Sequence, residues 1–124
     1  MRGSKDDIPV AMEEAGAVIQ DAVWDDIHVS FETFRDPLDT TPLHSGAPDD
    51  SCQCPHWGYV FSGRIRVVYK DREEIVKAGD AYYMQPGHNV IIDAGTHTVE
   101  FSPNGPFQAG MEVVMRNLEA LRNV

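Results

Sequence analysis

Positive charge is scarce in this 124-residue chain: ten Lys and Arg stand against twenty Asp and Glu, for a net charge of −10. Binding phosphates takes clustered Lys and Arg, and the nearest to a cluster here is the pair Arg64 and Arg66. Nucleic acid is excluded as a partner on that ground. Hydrophobic residues make up 42% of the chain, enough for a core, yet no apolar run reaches the length that crosses a bilayer. No membrane partner is expected. The opening residues Met1 to Asp7 are polar and lack the apolar stretch of a secretory signal. The expectation is a cytoplasmic protein whose thiols stay reduced. Also missing are a Ser-His-Asp set, a phosphate-cradling glycine loop, a dinucleotide fingerprint, internal repeats and low-complexity segments. The length suits one domain with one core.

What is present centres on Cys52-Gln53-Cys54-Pro55-His56, which carries three candidate metal ligands at alternate positions. The aromatic and β-branched run Tyr59-Val60-Phe61 behind it predicts a strand. On a strand, alternate residues share a face at a spacing of about 6.6 Å. Cys52, Cys54 and His56 would then line one surface, and Trp57, Tyr59 and Phe61 the other. Two further readings stay open. The cysteines are small core residues without a metal, or they form a Cys52–Cys54 disulfide, which extended i, i+2 spacing brings near the limit of disulfide geometry. A reducing compartment favours ligands or free thiols over the bridge.

Along the chain, Pro9 followed by Val10 to Ala15 predicts a short helix stopped by Gly16, within an N-terminal tail over residues 1–16. Strands are expected at 17–19, 27–35, 52–61, 64–69, 74–77, 81–84, 89–93 and 97–101. Turn signals between short strands indicate an all-β sandwich or barrel, here over 17–110. In the strand 27–35, Ile27, Val29, Phe31 and Thr33 take one face, and His28, Ser30 and Glu32 take a polar, solvated one. Residues 36–50 form a long Pro- and Gly-interrupted loop of the kind that serves as a functional lid. His44 in that loop is expected to be exposed, with a reserve role as ligand. His97 shares its parity with Val99 and Phe101 on a plausible inward face and is a second reserve ligand. Glu100, of opposite parity, is a candidate pocket carboxylate, with an exposed strand residue the favoured reading. Met111, Val114, Met115, Leu118 and Leu121 fall at helical spacing. They predict a C-terminal helix over 111–124, packed on the barrel or on a partner subunit.

From Cys52 to Phe101 the chain resembles the cupin superfamily of small jelly-roll β-barrels. Two pieces carry the resemblance. His56-Trp57-Gly58-Tyr59-Val60-Phe61-Ser62-Gly63 is similar to the end of the first cupin motif. Gly79-Asp80-Ala81-Tyr82-Tyr83-Met84-Gln85-Pro86-Gly87-His88 is similar to the second. The resemblance implies an all-β jelly-roll barrel and a homodimer paired through its sheets. The usual ligands of that family, His-x-His with a Glu and a later His, do not carry over. His56 stands at the Glu position, Val90 at the later His, and Asp50, Cys52 and Cys54 occupy the His-x-His region.

Cys52, Cys54, His56 and His88 therefore form the candidate metal set. Two sulfurs and two nitrogens suit zinc, ahead of iron, nickel or copper. Three functions follow. One is a metal-dependent enzyme of dioxygenase, isomerase or lyase type, acting on a small organic acid or aromatic compound in the barrel. Another is a non-enzymatic ligand-binding or sensor barrel with a structural metal or none. The last is thiol chemistry without metal, which lacks the helix N-terminus that usually activates such a thiol. The residues name no catalytic group.

Overall fold

The computed structural model describes residues 1–123. Ten strands precede one long helix: β1 (Val10–Glu14), β2 (Ala17–Trp24), β3 (Ile27–Phe34), β4 (Leu38–Asp39), β5 (His56–Ser62), β6 (Arg64–Val68), β7 (Glu73–Lys77), β8 (Ala81–Met84), β9 (Asn89–Ile92), β10 (Thr96–Pro103) and α1 (Asn104–Arg122). They form a six-stranded sheet in the order β1-β2-β3-β10-β5-β8 and a four-stranded sheet in the order β4-β9-β6-β7. Every strand pairing is antiparallel. The two sheets enclose a core of Phe34, Val60, Ile65, Val67, Met84 and Ile92 with Ala17, Tyr69 and Val76. This is an all-β fold of the kind the strand pattern indicated, in the jelly-roll form that the cupin resemblance implied.

Residues 10–14, expected as a short helix, form β1 instead. The Ala15-Gly16 pair has φ values of 52 and 79, the two positive angles that a tight hairpin turn requires. Gly16 closes a β1–β2 hairpin, and pairing such as Met12↔Ile19 overrides the local helix signal. Asp25-Asp26 turns β2 into β3 in the same way, with φ values of 48 and 64.

Strand β3 faces the opposite way from the expected polar-out arrangement. His28 and Ser30 are each only 1% exposed, and Glu32 lines the barrel cavity with Phe34. On the neighbouring β10, Thr96, Thr98, Glu100 and Ser102 are buried in their turn. The inner wall of the six-stranded sheet is thus largely polar, and its outer face carries the aromatics. His97 lies on that outer side, its ring 5.0 Å from the exposed Phe61 ring.

The helix starts at Asn104, seven residues before the expected 111. Pro106 sits in its first turn, where the backbone N–H has no helical partner to lose. Phe107, Met111, Val114, Met115 and Leu118 close over the cavity between the sheets. Asn117 Nδ2 donates to the carbonyls of Leu43 (2.8 Å) and Ser45 (2.9 Å), which fastens α1 to the single 3-10 turn Thr41–His44. Among the described residues no helix is long and apolar enough to cross a membrane.

Gly63, between β5 and β6, has φ +86, and a Cβ there would run into Thr96. Gly79 has φ +92 with open space around it. Both Gly→Ala changes carry the strain of a positive φ, and only Gly63→Ala adds a collision. Gly63→Ala is expected to destabilise by about 1–3 kcal/mol more than Gly79→Ala in urea unfolding. Equal losses would show that Thr96 yields freely.

Candidate metal centre and cavity

Three separate chain segments bring the donor side chains together. His56 opens β5, His88 ends the turn between β8 and β9, and Cys52 closes the long loop before β5. Cys52 and His88 form an isolated antiparallel bridge. Cys52 N donates to His88 O at 2.7 Å, and Gly87 N donates to Cys52 O at 2.7 Å. One donor atom from each of Cys52, His56 and His88 lies within 4.8 Å of the other two, and all three residues are buried. Cys52 Sγ is 3.6 Å from His56 Nε2. A tetrahedral ion with ordinary metal–sulfur and metal–nitrogen bonds separates such a pair by about 3.6 Å. A Cys/His/His group of this kind can hold a metal ion.

The remaining ring nitrogens are already engaged. His88 Nδ1 is 2.6 Å from Gln85 O. A carbonyl oxygen only accepts, so Nδ1 carries the proton and the Nε2 lone pair is free. His56 Nδ1 is 2.6 Å from Ser102 Oγ and 3.5 Å from Glu100 Oε2, which leaves Nε2 toward Cys52. Partners of this sort orient a ligating imidazole and fix its tautomer. Burial, with weaker repulsion from neighbouring histidines, pushes both His56 and His88 down to about 4. Neutral imidazole is the form that ligates. Burial pushes the Cys52 thiol up to about 11, so an ion must displace its proton and bind more tightly as pH rises.

Cys54 does not join this cluster. β5 begins only at His56, and residues 53–55 are not extended strand. The alternation that would have aligned three ligands is broken at Pro55, which has no N–H to donate to a strand ladder. Cys54 Sγ lies 3.4 Å from Pro55 O and 3.9 Å from Pro103 O, and burial pushes its thiol up to about 12. Both cysteines are free thiols. His44, expected to be exposed, is buried on the cavity wall with Nδ1 2.7 Å from Asn89 Oδ1, outside the donor cluster. His97 contributes nothing here.

Glu100, expected on the surface, is buried and central. Tyr82 donates its hydroxyl hydrogen to Glu100 Oε1 at 2.8 Å. It crosses Gly58, where a Cβ would collide with the Tyr82 ring and hydroxyl. Beside them Glu32 accepts from Ser30 Oγ at 3.2 Å and from Thr98 Oγ1 at 3.3 Å. Burial first, and Glu100 next, hold the Glu32 carboxyl well above its ordinary value. Burial raises Glu100 to about 7. Burial and both carboxylates keep Tyr82 a neutral donor. The sequence signal for this network was the alternation of Thr96, Thr98, Glu100 and Ser102, four polar residues on one side of a strand.

Glu32 and Glu100, with Cys52, His56 and His88, line a cavity of about 430 Å³, whose other walls include Ile19, Phe34, Ile65, Met84, Val90 and Ile92. That volume is of the size that takes a small organic molecule.

No family model matches the sequence, and no curated protein matches it. Solved structures do match in shape. An RmlC-like cupin from Shewanella frigidimarina aligns over 82% of this chain and 88% of its own at 15% identity, with a TM-score of 0.57. The polyketide cyclase RemF from Streptomyces resistomycificus aligns over 84% and 79% at 12% identity, with a TM-score of 0.59. KdgF from Halomonas sp. aligns over 81% and 92% at 17% identity, with a TM-score of 0.54. The chain has the cupin fold.

The two buried imidazoles stay neutral in the fold down to about pH 4 but take up protons near 6.5 when unfolded. Metal-stripped protein therefore loses their contribution to stability as pH falls from 6.5 toward 4, because the unfolded chain binds protons that the fold refuses. In His88→Gln the slope over that window should be shallower by one proton, about 1.4 kcal/mol per pH unit. Urea unfolding at a series of pH values measures it. Parallel curves would mean that His88 is protonated inside the fold.

Proposed function

We propose that this chain holds one divalent transition ion on Cys52, His56 and His88 and binds a small organic molecule beside it in the barrel. The observation that carries this reading is the convergence of three buried donor atoms within 4.8 Å on the wall of the cavity. One thiolate and two imidazole nitrogens suit zinc, with iron, nickel or copper compatible with the same donors. A closed four-ligand site would need Cys54, whose sulfur is directed to backbone carbonyls elsewhere. Three protein donors facing a cavity is the arrangement that leaves a coordination position for substrate or water. This favours a metal-dependent enzyme over a barrel that the ion merely braces. A bound ion would supply Lewis-acid polarisation of a ligand oxygen. The chain itself supplies the rest. Ser102 and Gln85 orient the imidazoles, Tyr82 donates its hydroxyl hydrogen to Glu100 Oε1, and residues of α1 line the cavity. Two free thiols are consistent with a reducing, cytoplasmic setting.

Elemental analysis of protein purified without affinity metal or chelator tests this. About one equivalent of metal is expected, lost in Cys52→Ser and His56→Ala and kept in Cys54→Ser. Folded wild type that carries no metal would overturn the reading, and loss in Cys54→Ser would restore the closed set.

We further propose a homodimer through the outer face of the six-stranded sheet. Trp57, Tyr59, Phe61, Tyr83 and Phe101 are all exposed there, from 39% to 49%. Trp57 stacks on Tyr83 at 5.0 Å. None of these positions is charged, on a chain whose net charge is −10, so two copies meet there without facing like charges. Sedimentation should give a dimer for wild type and a folded monomer for Tyr83→Glu. A monomeric wild type at high micromolar concentration removes the proposal.

A further inference from the structure

The cavity has a charge pattern that narrows its ligand. Ten Lys and Arg occur in the chain, and not one of them lines the cavity. Four acidic residues do: Glu32 and Glu100, together with Glu14 and Asp21, which are paired with Arg122 (2.9 Å) and His28 (2.8 Å). The remaining wall is mainly apolar, from Ile19 and Phe34 across to Met111 and Val114. An organic carboxylate or phosphate entering this space loses its hydration and meets no protein cation, and an unpaired buried charge is strongly disfavoured. A polar but uncharged group is a different matter. Glu32 uses its oxygens to accept one bond from Ser30 and one from Thr98. Even as the neutral acid that burial favours, a carboxyl has acceptor capacity beyond these two bonds, so Glu32 can accept a further bond on the cavity side.

We propose that the cavity takes an uncharged, largely apolar ring compound that offers a hydroxyl hydrogen to Glu32, and that it rejects organic anions. The proposal deepens the metal-dependent reading and rests on it for the ligand's place beside the ion, though not for the ligand's charge. It also narrows the sequence-based expectation, in which a small organic acid and an aromatic compound stood side by side. Flat apolar walls bind rings without regard to their substituents. The acidic end then decides among rings of one size by what each presents: a hydroxyl donor is accepted, and a carboxylate finds no protein cation to offset its lost hydration. An ammonium must give up its hydration in the same largely apolar space; a bound ion would repel it further and would favour a carboxylate, so the series is run with and without metal.

A matched series tests the assignment: 2-naphthol, 2-naphthoate and 2-naphthylmethylamine, titrated calorimetrically at pH 7 into full-length protein as purified and again after metal removal with EDTA. 2-Naphthol should bind at least tenfold more tightly than 2-naphthoate in both preparations, and more tightly than the amine. In Glu32→Gln the naphthol-to-naphthoate ratio should fall at least fivefold. The wild-type series stands alone if that variant fails to fold. Naphthoate or amine binding as tightly as naphthol overturns the proposal, as does the absence of binding by all three. The metal reading is judged separately. Protein purified without metal sinks that reading while the ligand series still decides the class. A preference for naphthoate that disappears with EDTA overturns the class and leaves the metal in place.

Discussion

The backbone pairing of Cys52 with His88 is the constraint on which the site depends. It is an isolated bridge rather than part of a strand ladder, with hydrogen bonds of 2.7 Å in each direction. Without it, the loop that follows β4 would have no fixed exit, and the Cys52 sulfur would not meet imidazoles set by β5 and by the β8–β9 turn. The bridge also explains why the loop is long. It must leave the four-stranded sheet after β4, which pairs with β9, and reach β5, which lies inside the six-stranded sheet. On the way it supplies His44 and Leu43 to the cavity wall and the carbonyls that hold Asn117 of α1. Loop, bridge and helix thus close one end of the barrel together, and the donor cluster lies where they meet.

Once the donors are buried, the surrounding polar groups follow from the need to satisfy them. A buried imidazole, carboxyl or phenol without a partner is destabilising. Here His56 is held by Ser102, Glu100 by Tyr82, Glu32 by Ser30 and Thr98, and His28 by Asp21. The network in turn constrains the sequence at a position with no chemistry of its own. Gly58 is the residue that lets Tyr82 lie across β5 to reach Glu100. A glycine at the middle of a strand weakens it, and this one exchanges local strand stability for a cross-strand hydrogen bond at the back of the cavity.

Eight of the ten strands, the turns at Gly63 and Gly79 and three of the candidate metal-binding residues could be read from the sequence, because each rests on a local signal. Cys52, His56 and His88 were identified by residue type, and the cupin resemblance placed them near one another. Cys54 was grouped with them because alternation was assumed to run unbroken through Pro55, and the onset of β5 at His56 ended it. β1 was missed because Gly16 signals a helix stop and a hairpin turn equally well. What decided between them was pairing with β2, and pairing is not local. Glu32, Glu100 and His28 were assigned to solvent by the rule that polar residues face outward, which presumes that the other side of the sheet is the covered one.

That presumption fails for a physical reason. An antiparallel sheet normally has one packed face and one solvated face, and alternation in sequence tells them apart. In the sheet that carries β3, β10 and β5, the inner face encloses a cavity rather than a solid core, so it tolerates Ser30, Glu32, Thr98 and Glu100 as long as they bond to one another. The outer face carries Trp57, Tyr59, Phe61, Tyr83 and Phe101, an apolar surface of the kind that marks a contact site. Both faces then depart from the usual pattern together. A cavity tolerates mutually bonded polar groups on the inner face, and the aromatic outer face fits the dimer proposed above. The same period-two alternation therefore appears with its sign reversed, and a sequence read for a solid core assigns each face to the wrong side.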